Sequence, residues 1–164
     1  MIKKINILFL SMFGIGRSKY APGTVSSFAT SLFFIFFYII DINILYLIVG
    51  IIFIFIYAVY AIDAYPNLYD QVDSSEIVID ELVGQSIPLL TTFSLMDKNN
   101  IGNYLLYTLI SFVFFRFFDI TKPYPINKVD REMKNGFGVM LDDVIAGVYT
   151  SLVLLIIISF LYYE

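Results

Sequence analysis

Carboxylates carry the chemistry open to this chain. Asp80-Glu81, Asp119 set between Arg116 and Lys122, and Asp142-Asp143 all abut long apolar runs, and the sequence holds no histidine and no cysteine. An ionised carboxylate in hydrocarbon costs about 2.5 to 3.5 kcal/mol even on lenient insertion scales, so acids placed this way are expected to be paired, hydrated or metal-bound. Lack of cysteine removes disulfides, thiol catalysis and zinc-thiolate sites, and lack of histidine removes imidazole acid-base chemistry and ligation. What remains is oxygen chemistry. Hard carboxylate ligands suit Mg²⁺, which takes one or two carboxylates, several waters and substrate phosphate.

Each motif has a plain reading beside the chemical one. Asp80 and Glu81 follow the apolar run Ile77-Val78-Ile79; on a helix they diverge by about 100° and can serve different partners, while Glu76 and Asp80 share a face. The plain alternative is a solvated helix start favoured by the dipole, and the same holds for Asp142-Asp143 ahead of the last apolar run. Arg116 and Asp119 lie three residues apart among phenylalanines, so the simplest partner for the arginine is Asp119. Lys122-Pro123-Tyr124-Pro125 stops that helix, because each proline disfavours α geometry before it, and this holds Lys122 near the interface. Arginine's fork and lysine's point charge both suit phosphate. Ala21-Pro22-Gly23-Thr24 reads as a turn opening a helix, with Thr24, Ser26 or Ser27 available as cap; its free N–H groups either favour a phosphate or are simply capped. Gly147 and Ser151 form a small-xxx-small pair that suits close helix packing.

The elements that must position these residues are membrane helices. With 59% hydrophobic and 15% charged residues and a mean hydropathy of +0.83, the chain is far more apolar than a soluble domain. Its 164 residues suit a single domain over 1–164, all-α, a compact bundle of four to five hydrophobic helices. The net charge of −4 and the absence of a basic run argue against nucleic-acid binding.

Ile5 to Gly16, after Lys3-Lys4, resembles a signal peptide, but Arg17 and Lys19 follow at once, so it reads as a retained, shallow segment. Ala21–Ile40 and Ile42–Ile62 are uncharged stretches of about 20 residues, each long enough to span, joined by a tight turn at Asp41-Ile42-Asn43. A polar segment from Asp63 to Glu81, holding Pro66, Asp70 and Asp73, is expected outside the hydrocarbon. Leu82–Met96, about 15 residues with Gly84, Gln85, Ser86 and Pro88, suits a short or broken helix packed within the bundle. Asp97-Lys98-Asn99-Asn100 turns the chain into a helix over Ile101–Phe118. A polar segment with the turn Asn135-Gly136-Phe137-Gly138 runs to Asp143, and Val144–Tyr163 forms the last span.

Lysine and arginine placement sets orientation. Lys3, Lys4, Arg17 and Lys19 precede the first long span, and Arg116, Lys122, Lys128, Arg131 and Lys134 precede the last. Both clusters are expected to face the cytoplasm, with the polar motifs gathered on that side.

Taken in order, four blocks make the chain resemble the phosphatidylglycerophosphatase A family of bacterial membrane lipid phosphatases. They are Phe13-Gly14-Ile15-Gly16 with Ala21-Pro22-Gly23-Thr24-Val25; Ile77 to Gly84 around Asp80-Glu81; Phe115 to Asp119 with Lys122-Pro123-Tyr124-Pro125-Ile126; and Gly138 to Gly147 around Asp142-Asp143. Two departures accompany the match. Ser26 stands where the family usually has glycine, and the turn Ser74-Ser75-Glu76 differs from the common pattern.

The resemblance implies Mg²⁺-dependent hydrolysis of phosphatidylglycerol phosphate to phosphatidylglycerol and inorganic phosphate, in the cytoplasmic membrane of a bacterium, with a phospholipid as substrate. On that footing Asp80, Glu81, Asp142 and Asp143 are the expected catalytic acids and, with Asp119, the expected Mg²⁺ ligands. Gly23, Thr24, Arg116 and Lys122 are the expected phosphate binders. The metal would lower the pKa of an attacking water, and a covalent aspartyl-phosphate is the competing route. Three other classes remain in view: a small cation transporter, which would put its acids mid-span facing a conduction path; a non-catalytic membrane protein; and a lipid synthase using metal-bound carboxylates. Oligomeric state is left open by the sequence.

Overall fold

The computed structural model describes residues 2–64, 74–96 and 100–162. Among these every regular element is helical. The chain forms α1 (Ile2–Leu10), a one-turn 3-10 helix (Ile15–Arg17), α2 (Pro22–Ile39), α3 (Ile44–Ala64), α4 (Ile79–Leu95), α5 (Ile101–Thr121), α6 (Ile126–Glu132) and α7 (Gly136–Tyr162). The expected acidic segment around Pro66, Asp70 and Asp73, and Asp97-Lys98-Asn99, lie outside the described residues.

Among the described residues, four helices are long and apolar enough to cross a bilayer: α2, α3, α5 and Gly136–Phe160 of α7. At 1.5 Å per residue, 18 to 21 residues reach about 27 to 32 Å, the thickness of the hydrocarbon core. Their outer faces carry Phe33, Val49, Phe53, Ile56, Leu109 and Val113, all exposed, as lipid-facing surfaces should be. The chain is a membrane protein of the all-α bundle class read from its composition. The helix α1, at nine residues, is too short to span; it packs on α3, where the Tyr57 hydroxyl donates to Asn6 Oδ1 at 2.8 Å.

At the centre stands α4. It packs against α2, α3, α5 and α7 and buries Val83, Gly84, Gln85, Ser86, Pro88, Leu89, Thr92 and Phe93. A helix buried all round needs small residues where neighbours cross, and Gly84 supplies one. The helix is continuous through Pro88, where a break was conceivable, because surrounding helices hold its backbone in place; proline leaves the Gly84 carbonyl without its usual donor, and that carbonyl lies against Gly147 of α7. A Cβ at Gly147 would collide with it. The small-xxx-small pair is thus a packing device: Gly147 meets α4, and the hydroxyls of Ser151 and Thr91 lie 3.2 Å apart one turn further on.

The end of the bundle that holds the Asp41 turn is closed by aromatic packing. Tyr38 stacks on Tyr104 with ring centroids 3.6 Å apart, Phe93 meets Tyr104 edge-on, and the Tyr104 hydroxyl donates to the Phe34 carbonyl. The opposite end receives the start of α2, the end of α3, the start of α4, the end of α5 and the start of α7. Gly23, Asp80, Glu81, Arg116, Asp119, Lys122, Asp142 and Asp143 lie toward that end.

Two boundaries differ from the sequence expectation. The turn expected at Asn135–Gly138 is already helical, since α7 begins at Gly136. Asn135 Oδ1 accepts from Gly138 N at 2.8 Å and Asp63 Oδ1 from Gly136 N at 2.6 Å, so a side chain from the end of α3 caps α7 and starts the helix early. Asp142 and Asp143 therefore sit about 10 Å inside the helix, not at its dipole end. Conversely, Glu76 lies outside α4, which starts at Ile79, so it shares no helical face with Asp80; it faces Arg17 at 3.6 Å on the surface.

Candidate active site

Close crossing of α4 and α7 assembles the acids. A Cβ at Gly84 would strike the Asp143 carbonyl and the Phe115 ring, so only glycine lets the first turns of α4 slide against α7 at this level. The result is that Asp80, Glu81 and Asp143 bring carboxylate oxygens within 4.8 Å of one another. Asp80 and Glu81 are half-buried and Asp143 is buried. Though 100° apart on their helix, Asp80 and Glu81 thus converge on one neighbour rather than serving two.

The entry to α4 is pinned from two sides. Val78 N donates to the Leu10 carbonyl at 3.0 Å, and Ser26 Oγ donates to the Val78 carbonyl at 2.7 Å. Ser26, the residue that departs from the usual glycine, so holds the backbone two residues before Asp80. It does not cap α2. Nor does Ser27, whose hydroxyl donates to the Gly23 carbonyl; α2 opens instead on Ala21, with φ of 42° and no side-chain cap, followed by Pro22 at its first position.

That uncapped start is part of the site. Gly23 is buried with its Cα against Glu81 Oε1 and near Arg116 Nη1, so the positive end of α2 faces a carboxylate, and Thr24 follows on the same turn, half-buried. Arg116 comes from α5. Its Nη1 pairs with Asp119 Oδ2 and lies 3.8 Å from Glu81 Oε1, as the three-residue spacing suggested. Asp119 in turn is close enough to act electrostatically on Glu81 and Asp143.

Two atoms in this arrangement stand out. Glu81 Oε2 and Arg116 Nε are both shut off from solvent with no hydrogen-bond partner. An unpaired buried charge-bearing atom costs several kcal/mol, so this acceptor and this donor are each open to a complementary group, a cation at Glu81 Oε2 and an anion at Arg116 Nε. Three converging carboxylates with an all-oxygen donor set fit Mg²⁺, and Arg116 Nε fits a phosphate oxygen.

Asp142 takes a different direction from Asp143. Lys122, at the end of α5 with φ of 41°, places Nζ 2.8 Å from Asp142 Oδ2 and 2.7 Å from Asp130 Oδ1 on α6. Partial burial would lower the Lys122 pKa, but the hydrogen bonds to Asp130 and Asp142 outweigh it and hold the ammonium above its usual range. Lys122 and Asp142 thus form a second polar cluster beside the first, joined by Asp130. Asp130 was not among the residues singled out from the sequence. A lysine restrained beside a membrane interface needs counter-charge, and the short helix after Pro125 is the nearest source; that is the signal the sequence offered.

A family model described as phosphatidylglycerophosphatase A matches residues 8–158. A Bacteroides thetaiotaomicron protein named "Putative phosphatidylinositol-3-phosphatase" is 33% identical over 151 residues, covering 90% of this chain and 90% of that protein. A Haemophilus influenzae protein named phosphatidylglycerophosphatase A is 43% identical over 81 residues, 49% of this chain and 45% of the relative. Its Escherichia coli namesake is 31% identical over 140 residues, 85% of this chain and 75% of the relative. No solved structure matches.

Proposed function

The chain belongs to the phosphatidylglycerophosphatase A family, and we propose that it is a Mg²⁺-dependent lipid phosphatase converting phosphatidylglycerol phosphate to phosphatidylglycerol and inorganic phosphate. The observation that carries this reading is the meeting of Asp80, Glu81 and Asp143 within 4.8 Å beside an arginine whose Nε has no protein partner.

In this reading Asp80, Glu81 and Asp143, from two helices, would hold the metal, and a metal bound there would supply neutralisation of phosphate charge and a lowered pKa for a water. Arg116, oriented by Asp119, directs Nε at a phosphate oxygen. The open start of α2 at Gly23 adds positive potential on the same side. Asp142, hydrogen-bonded by Lys122 yet still close enough to act on Asp80, flanks the cluster, and Lys122 offsets part of the negative charge there. Phosphomonoesters hydrolyse so slowly that enzymes supply up to about 10²¹-fold, and charge neutralisation with positioning is the means this residue set offers.

The basic residues near the acid-bearing end support a cytoplasmic position for it in a bacterial cytoplasmic membrane. A cation transporter fits less well, since these acids gather toward one end of the bundle rather than along a path, and an arginine beside them opposes cation passage.

The test is phosphate release by the purified protein from phosphatidylglycerol phosphate, phosphatidylinositol 3-phosphate and phosphatidate in mixed micelles, with Mg²⁺ or with EDTA. Metal-dependent release, fastest from phosphatidylglycerol phosphate, is the expected result. Faster release from phosphatidylinositol 3-phosphate would shift the substrate toward that named for the Bacteroides relative, and no metal-dependent release from any of the three would overturn the proposal.

A further inference from the structure

The spans surround α4 unevenly. α2 packs on α5, α5 on α7 and α7 on α3, but α2 and α3, consecutive in sequence, diverge beyond their turn instead of packing along their length. Between them lies a cleft of about 410 Å³ with walls of Phe33, Phe37, Tyr46 and Ile51 and a floor formed by Leu82 and Ser86 of α4. Tyr46 and Phe33 are exposed, so the cleft opens sideways, toward the bilayer.

Gly50 lies on its α3 wall, and a Cβ there would meet nothing within 4 Å. The other helical glycines at the crossing, Gly84 and Gly147, are enforced by a neighbouring backbone. Gly50 is not; it costs helix propensity and fills no contact, and its effect is to keep the cleft wide. Leu82, at the upper end, is the residue after Glu81. From Thr30 to Phe37 the α2 wall runs about 11 Å away from the carboxylates, toward the Asp41 turn.

We propose that this cleft seats an acyl chain of the lipid whose phosphate occupies the Asp80-Glu81-Asp143 site. The inference rests on the lipid-phosphatase reading and adds to it a second recognition element. The occupant follows from continuity: the cleft begins one residue from a site carboxylate, runs down the bundle in the direction a lipid tail must take from an interfacial headgroup, and opens to the medium in which lipids diffuse. Because the bilayer is itself apolar, entry of the chain gains little transfer energy. The cleft acts by alignment, fixing the depth and angle at which the phosphate meets Arg116, so its contribution appears as discrimination between long and short chains.

Gly50→Phe places a ring in the open space of the cleft, far from every residue assigned to catalysis. With dipalmitoyl and dihexanoyl phosphatidylglycerol phosphate assayed in mixed micelles with Mg²⁺, wild type is expected to prefer the long-chain substrate. Gly50→Phe should lose about tenfold in kcat/KM on the dipalmitoyl lipid while keeping wild-type kcat/KM on the dihexanoyl lipid, which also reports correct folding; Gly50→Leu should fall between. Equal kcat/KM ratios for wild type and both variants would overturn the proposal. If wild type releases phosphate from neither lipid, the phosphatase reading fails, and the cleft is judged separately by photolabelling with phosphatidate bearing a diazirine on its palmitoyl chain. Labelling concentrated on Phe33, Phe37 and Tyr46 and lost in Gly50→Phe supports the seat. Labelling spread evenly over the lipid-facing helices overturns it.

Discussion

Gly84 and Gly147 lie face to face where α4 crosses α7, each without room for a side chain, and the Gly84 carbonyl fills the space a Cβ of Gly147 would need. Gly147→Leu should therefore push the helices apart, at a cost of about 1 to 3 kcal/mol from overpacking, and should separate Asp143 from Asp80 and Glu81. A lower Tm together with a larger proportional loss of phosphatase activity is expected. A stable variant with full activity would show that the crossing does not position the acids.

Asp143→Asn separates stability from function. Without metal, burial and the closeness of their neighbours raise the Asp80 and Glu81 carboxyls above the usual carboxylate range, so the cluster holds protons near neutrality and gains charge as pH rises; removing one carboxylate should therefore raise Tm in EDTA, more at about pH 9 than at about pH 6. With Mg²⁺ the order should reverse: at a hundredfold excess over its dissociation constant the metal stabilises wild type by about 2.7 kcal/mol, while the variant gains little. Activity should fall about 10²-fold or more, since ligand loss exceeds the 10- to 100-fold typical of groups behind the ligands. Thermal shifts with and without Mg²⁺ read the sign in each condition.

Arg116→Lys keeps the charge beside Asp119 and removes Nε, the donor with no protein partner. A drop of about 10²-fold in kcat/KM with little change in Tm is the expected outcome, because an ammonium cannot reproduce the fork. Near-normal kinetics would mean that Arg116 serves the fold alone.

Lys122→Met leaves Asp142, with 9% of its side chain exposed, without the ammonium 2.8 Å away, at a cost of about 2 kcal/mol, moderated because Lys122 itself is 30% exposed. Asp130→Asn should cost less, since Lys122 keeps Asp142. The pH dependence follows from the raised Lys122 pKa: its contribution is fully present below the ordinary lysine value of about 10.4 and is lost only as pH climbs past that value through the folded one. Tm differences between wild type and Lys122→Met should thus stay constant from about pH 6 to 9 and shrink only in strong alkali. A difference that vanishes near neutrality would contradict the ion-pair geometry.

The sequence by itself determined that this chain spans a membrane, roughly where its helices run, and that Arg116 pairs with Asp119. These are local consequences: hydrocarbon thickness dictates the length of apolar runs, charges cannot be abandoned beside them, and three-residue spacing sets one helical face. Only the tertiary structure decided that α4 is the central helix, that α7 starts early because Asp63 from a distant helix caps it, and that adjacent Asp142 and Asp143 part company, one to Lys122 and Asp130, the other to Asp80 and Glu81. The physical reason is that neighbouring residues on a helix point about 100° apart, so their partners depend on which helices flank them and at what height. That height is set where Gly84 meets Gly147, a contact between residues far apart in the chain, specified by the space two missing side chains leave.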